Sequence, residues 1–319
     1  MNKILAIALN TFREAVRNRI LYVLLFFSVL ILLGAWVAST LSIEEPERIV
    51  RDLGVGAINI ISGLIAVFVG IGLVYNDLDK KTIYTIVSKP ISRWQFIVGK
   101  YLGLLLTIFV NVMIMTWVFC VVLHLRDAFS DETMMKELYT PSEAGLVSKG
   151  SGATLAYYFT SFFGSILKGF ANVLSFGFYS DHITSGLLFS SLLTMLEMAI
   201  ITAFAVLFSS FSSPTLSAFM TAIVWIIGKG NQDLYLLTLS LLRNVGGSFE
   251  ALNPSNKLVY YFAQGASHIA PNLEIFNQRD RIAMFETLTI DAYTIAYGVI
   301  YSLGVVAVAA MIFQRRNFK

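Results

Sequence analysis

The sequence predicts an all-α membrane protein, six transmembrane helices folded as one domain. Three observations carry that reading. Of the 319 residues, 56% are hydrophobic and only 13% charged, with a mean hydropathy of +0.72, outside the balance of a soluble domain. Six stretches stay apolar over the length that a hydrocarbon core of about 30 Å demands of a helix. Basic residues gather on alternate connections between those stretches, the pattern that sets orientation in a membrane. The net charge of +3 is small and split among separate loops, which argues against a nucleic-acid partner.

Residues 1–19 come first. Leu5, Leu9, Phe12 and Val16 recur at helical spacing, with Lys3, Asn10, Arg13 and Arg17 opposite them. This predicts an amphipathic elbow helix lying in the cytoplasmic interface, in preference to a cytoplasmic extension of the first span. The apolar patch from Ile4 to Leu9 is short, and Arg13, Glu14, Arg17 and Arg19 part it from the first span, so no cleavable signal is expected. Spans are expected at 20–41, 55–75, 101–125, 186–208, 213–229 and 291–313. The fifth is the shortest and is entered through the tight Ser212-Ser213-Pro214 turn. Cys120, the single cysteine, falls in the third span. There it is expected to pack as a small apolar residue, and one thiol says nothing about redox compartment.

Orientation follows from the connections. With the N-terminus inside, the short cytoplasmic segments hold Lys3, Arg13, Arg17, Arg19, Lys80, Lys81, Lys89, Arg93, Lys100, Arg315, Arg316 and Lys319, against the acids Glu14, Asp77 and Asp79. Both termini are therefore expected in the cytoplasm. The outside then receives 42–54 and two insertions, 126–185 and 230–290. The first insertion opens polar, but Gly152 to Tyr179 is apolar and aromatic. Leu155, Phe159, Phe162, Ile166 and Phe170 can form one stripe of a helix that lies along the outer surface or re-enters it. A seventh full span is long enough on paper, yet it would turn one basic terminal cluster outward.

The polar interruption at 76–100 is too patterned for a plain linker. Asp77 or Asp79 can cap a short helix with Ile83, Ile86 and Val87 on its apolar face. Pro90 lacks an N–H and disfavours helix at Lys89, so that helix should end just before it. Ser92 can then cap the helix that runs into the membrane. A rigid amphipathic helix held between two spans is suited to transmitting motion.

Several chemistries find no support. The phosphate-cradling pattern GxxxxGK[ST] is missing at both Gly99-Lys100 and Gly228-Lys229, so the chain carries no motor of its own. His124, His182 and His268 are far apart, without a second ligand at metal spacing. No hydrolase motif or paired intramembrane carboxylates appear. No catalytic, cofactor or metal residue is therefore expected. One acid, Glu197, lies near the middle of the fourth span, where ionisable groups are costly and face a bundle interior or a cavity. It reads as a pathway or proton-coupling residue, or as an interhelical group hydrogen-bonded to Ser, Thr or Tyr on a neighbouring span or carrying a protonated carboxyl. The second reading is preferred, since no basic partner in a span is apparent.

The interruption resembles the cytoplasmic loop of type 2 ATP-binding-cassette (ABC) transporter permeases. Asp77, Lys81-Thr82-Ile83, Pro90-Ile91-Ser92-Arg93 and Gly99-Lys100 stand in matching order, with Lys81 in place of the more usual glycine and Asp77 in place of glutamate. The elbow helix, the stretch from His268 to Phe276 before the last span, and the terminal Phe313-Gln314-Arg315-Arg316-Asn317-Phe318 are similar to the family as well. The nearest branch resembles the permeases of copper-enzyme maturation and related export systems. The resemblance implies a permease subunit of an ATP-driven exporter in a bacterial cytoplasmic membrane, paired with a second permease, identical or homologous. Two copies of a separate cytoplasmic ATPase would dock the loop through Asp77, Asp79, Lys81, Thr82, Ile83, Pro90, Ser92 and Arg93. The alternatives are a non-transport scaffold that passes ATPase motion to an external partner, and ion-coupled secondary transport, which the scarcity of intramembrane charge disfavours.

Overall fold

The computed structural model describes residues 3–40, 46–79, 92–130, 182–243, 249, 253–277 and 291–315. Among these residues the chain is all helical. Nine α-helices follow in order: α1 (Lys3–Val16), α2 (Arg19–Thr40), α3 (Pro46–Asp79), α4 (Arg93–Ser130), α5 (His182–Ser209), α6 (Pro214–Lys229), α7 (Asn231–Arg243), α8 (Pro254–Ile269) and α9 (Ala292–Arg315). A 3₁₀ turn, Glu274–Phe276, precedes α9. Five of them (α2, α3, α4, α5 and α9) are long and apolar enough to cross a membrane. The sixth expected span is α6, an apolar helix of 16 residues that extends about 24 Å and is the shortest of the six.

Burial sorts the helices into layers. In α3, 78% of the spanning window is buried, against 22% in α2 and in α9. The centre is the α3–α4–α5 trio, whose members all touch one another, with α2 laid on α3 and α9 laid on α5 and α4. Outward faces remain apolar, with Phe26 and Val37 on α2 and Ile300, Leu303 and Met311 on α9. An apolar exterior of that extent suits a lipid solvent and would be a liability in water.

Local chemistry explains the breaks. Helix α5 closes in a run of serines, where Ser210 N–H reaches Val206 O and Ser212 N–H reaches Phe208 O. Ser213 is extended and Pro214 occupies the first turn of α6, a place where its missing N–H costs nothing. At the far end Gly230 ends α6, its N–H bonded to Ile226 O. Helix α7 then starts at Asn231, whose amide donates to Ser267 O at 3.0 Å at the end of α8. The stretch after α8 folds back onto α6. Leu273 N–H donates to Gly228 O at 3.0 Å, Leu273 is fully buried, and an added Cβ on Gly228 would lie 2.7 Å from Leu273 Cδ1. Tyr297 on α9 accepts from Asn272 N–H at 2.8 Å. The stretch from Pro271 to Phe276 is thus pinned between α6 and α9.

The helix ends refine the expected boundaries. Helix α3 already begins at Pro46 and continues through Asp79, while α4 begins at Arg93 and continues to Ser130. The connection between the second and third spans is therefore shorter than 76–100. Asp77 lies inside the last turn of α3, not at a helix start, because backbone helix propagates past it. The second insertion, 230–290, contains α7, α8 and the 3₁₀ turn. The expected stripe at Leu155–Phe170 lies outside the described residues.

Candidate functional site

Two places in the bundle gather polar side chains. The first is the end of α4 that receives the interrupted loop. Ser92 O accepts from Gln95 N–H and Phe96 N–H, and Ser92 N–H donates to Gln95 Oε1 at 3.3 Å. That is the back-reaching half of a capping box, as the Ser-x-x-Gln spacing allows. Arg93 Nη1 donates to Gln314 O at 3.0 Å, so the guanidinium satisfies a carbonyl in the last turn of α9, the end of a helix where positive charge is favoured. One turn on, Phe96 stacks on Phe313 with ring centroids 5.9 Å apart.

Helix α1 is fastened to the same end. Gly99 and Gly103 form a Gly-x-x-x-Gly face on which α1 lies so closely that no side chain fits. A Cβ on Gly99 would fall 2.8 Å from Ile7 Cβ, and one on Gly103 would fall 2.5 Å from the Ala8 carbonyl oxygen. Small residues permit this approach between membrane helices. Between the two glycines, Lys100 is buried to 2% exposure and its Nζ lies 3.4 Å from Glu14 Oε2 on α1. The stripe of α1 turned to the bundle is Ala8, Thr11 and Ala15. Leu5 is exposed while Leu9, Phe12 and Val16 are half-buried, so the expected apolar stripe flanks the contact face and turns outward only in part. Three faces therefore share this helix, one small, one apolar and one basic.

Of the residues expected to couple to an ATPase, Ser92 and Arg93 are placed as above. Asp77 and Asp79 lie in the last turns of α3. Lys81, Thr82, Ile83 and Pro90 lie outside the described residues.

The second place is Glu197, near the middle of α5 and fully buried. Its Oε2 accepts from Asn59 Nδ2 of α3 at 2.7 Å and from Lys229 Nζ of α6 at 2.9 Å. The Trp225 indole of α6 lies beside the same carboxyl, against α3 where Gly63 leaves room for its ring. Glu197 is therefore an interhelical group, but its partner is a cation and not a hydroxyl. The expectation of no basic partner fails because α6 is short. From the α5–α6 turn, Glu197 stands about 18 Å along its helix and Lys229 about 22 Å along its own, so the last residue of α6 comes level with mid-α5. Glu197 Oε1 remains buried without a hydrogen bond.

Sequence reading missed Asn59, Trp225 and Lys229. Asn59 was visible as the polar residue inside the apolar run 55–74, and Lys229 as a cation closing the shortest span. Among the described residues, no group of three or more His, Cys, Asp or Glu could hold a metal ion.

A polytopic helical bundle with an amphipathic N-terminal helix braced against the entry of its third long helix is the architecture of a membrane-embedded protein. The comparison with family models agrees. The ABC-2 family transporter protein model matches residues 5–318, nearly the whole chain, and the chain belongs to that family. It is a membrane-embedded permease of the ABC transporter class. No curated protein matches it.

Proposed function

We propose that this chain is the membrane-spanning subunit of an ATP-driven exporter and that the connection between α3 and α4 receives force from a separate cytoplasmic ATPase. The observation that supports this most is the bracing at Arg93. The residue that leaves the loop holds the end of α9, while the next turns of α4 hold α1. A displacement delivered to the loop would thus reach three helices at once. Two ATPase copies and a second permease, identical or homologous, complete the proposed assembly in a bacterial cytoplasmic membrane, with both termini on the ATPase side.

The test is pull-down of the partner ATPase together with substrate-stimulated ATP hydrolysis. Thr82→Pro should break the short helix expected there, at about 3 kcal/mol for proline in a helix interior, and Arg93→Ala should release α9 from the loop exit. Both should uncouple transport while the spans stay inserted, and Arg93→Lys should keep the charge and a donor for Gln314 O but not the planar fork that binds a carboxylate in two places. Full ATPase binding and full transport in Thr82→Pro and Arg93→Ala would refute the assignment. Orientation is checked separately on a Cys120→Ser background. Cysteines at positions 5 and 317 should resist impermeant reagents in intact cells, and labelling of either would overturn it.

A further inference from the structure

Inside the α3–α4–α5 trio lies a cavity of about 10 Å³ lined by Val55, Ile58, Thr116, Leu187, Ser190, Ser191 and Thr194. Four of its seven lining residues carry hydroxyls, set in a wall whose surface is mainly apolar, in a buried part of a bundle whose exterior is apolar. Polar groups there cost free energy unless they find partners. Two of them have turned their protons inward to their own helices. Thr116 Oγ1 donates to Val112 O at 2.8 Å, and Ser191 Oγ donates to Leu187 O at 3.0 Å or Leu188 O at 2.9 Å. Their oxygens retain lone pairs, so this part of the wall is rich in acceptors, while Ser190 and Thr194 can turn to donate or accept. The space is about that of one water, and such a molecule needs two to four polar partners.

The cavity also lies on a line. Ser190, Thr194 and Glu197 share one face of α5 at helical spacing, and Val55, Ile58 and Asn59 share the facing side of α3. Asn59 already holds the Glu197 carboxylate. We propose that this cavity is a water-binding site, and that its water extends a polar seam from the hydroxyl ring of α4 and α5 toward the Glu197–Lys229 pair. Glu197, whose Oε1 has no hydrogen bond, follows Thr194 by one turn on that face. The site is independent of the coupling assignment, since it requires no ATPase.

Radiolytic hydroxyl-radical labelling of the full-length chain in lipid nanodiscs tests it, because radicals made from a bound water mark the side chains beside it. In heavy-oxygen water, Ile58 and Leu187 should take up label well above Ile65 and Ile200, which are also buried but do not line the cavity. Thr194→Val keeps the shape and removes a hydroxyl. It should lower the labelling about fivefold, the weight of one hydrogen bond. Ser190→Ala gives the same reading should the valine variant fail to assemble. No excess label at Ile58 and Leu187 would mean a dry cavity and overturn the site. Excess label that persists undiminished in both variants would do so as well.

Discussion

Lys229→Met is expected to destabilise the folded bundle by about 3–5 kcal/mol, the penalty for removing one partner of a buried ion pair. Glu197→Gln should cost much less, about 1–2 kcal/mol for the exchange of a charged hydrogen bond for a neutral one. The asymmetry comes from geometry. Glu197 has no exposure, whereas 27% of the Lys229 side chain is exposed. Without Lys229, the carboxylate is left in the bundle with neutral neighbours only, the Asn59 amide and the Trp225 indole. Without the Glu197 charge, the Lys229 ammonium can swing toward its open side. The glutamine also keeps an oxygen for Asn59 Nδ2 and fills the same volume. Combining the two changes should recover much of the loss, because no uncompensated charge remains, and contacting residues are where additivity fails. Unfolding of the purified variants in mixed micelles measures all three. Lys229→Met as stable as Glu197→Gln would show that the pair is not electrostatically coupled. Glu197→Gln that assembles normally but loses transport would move Glu197 from a structural to a pathway role.

How much of this was legible beforehand depends on residue size. The long apolar helices were plain, since α2, α5 and α9 begin and end within a few residues of the expected spans. The lengths of α3 and α4 were not. Both run on past their apolar windows, α3 through Asp79 and α4 to Ser130, while the start of α4 at Arg93 follows the expected Ser92 cap; helix propagates through polar residues wherever no proline or capping group stops it. The contact face of α1 was hidden for another reason. Ala8, Thr11 and Ala15 carry little hydrophobic signal beside Leu5, Leu9, Phe12 and Val16, so periodicity pointed to the face that suits lipid and overlooked the one that meets protein. Gly99-Lys100 was noticed as a motif, but its use as a docking face for α1 needs Gly103 and the packing to be seen. Lys229 was counted inside a span without being matched to Glu197, since pairing across helices depends on where each helix stops.

Gly103→Val should dislodge α1 from the bundle and weaken coupling through the loop. A Cβ at this position would lie 2.5 Å from the Ala8 carbonyl oxygen and 2.6 Å from Thr11 Cβ. The first of these atoms belongs to the backbone, so no rotamer change relieves the clash and the helix itself must move. Overpacking of this kind costs about 1–3 kcal/mol, and here the strain falls on a single interface. Once α1 shifts, Glu14 is drawn away from Lys100, which leaves a buried ammonium short of a carboxylate. Gly34→Val is the control, because a Cβ there meets nothing within 4 Å. Valine should not harm that site through packing, and its β-branch alters helix propensity equally in both variants. Limited trypsin digestion after Arg13 and Arg17 reads the position of α1, and ATPase stimulation in the reconstituted complex reads the coupling. Gly103→Val should be cleaved faster than Gly34→Val and should stimulate less. Equal cleavage and equal stimulation would mean that α1 is not held by the glycine face, and that the loop drives α4 without it.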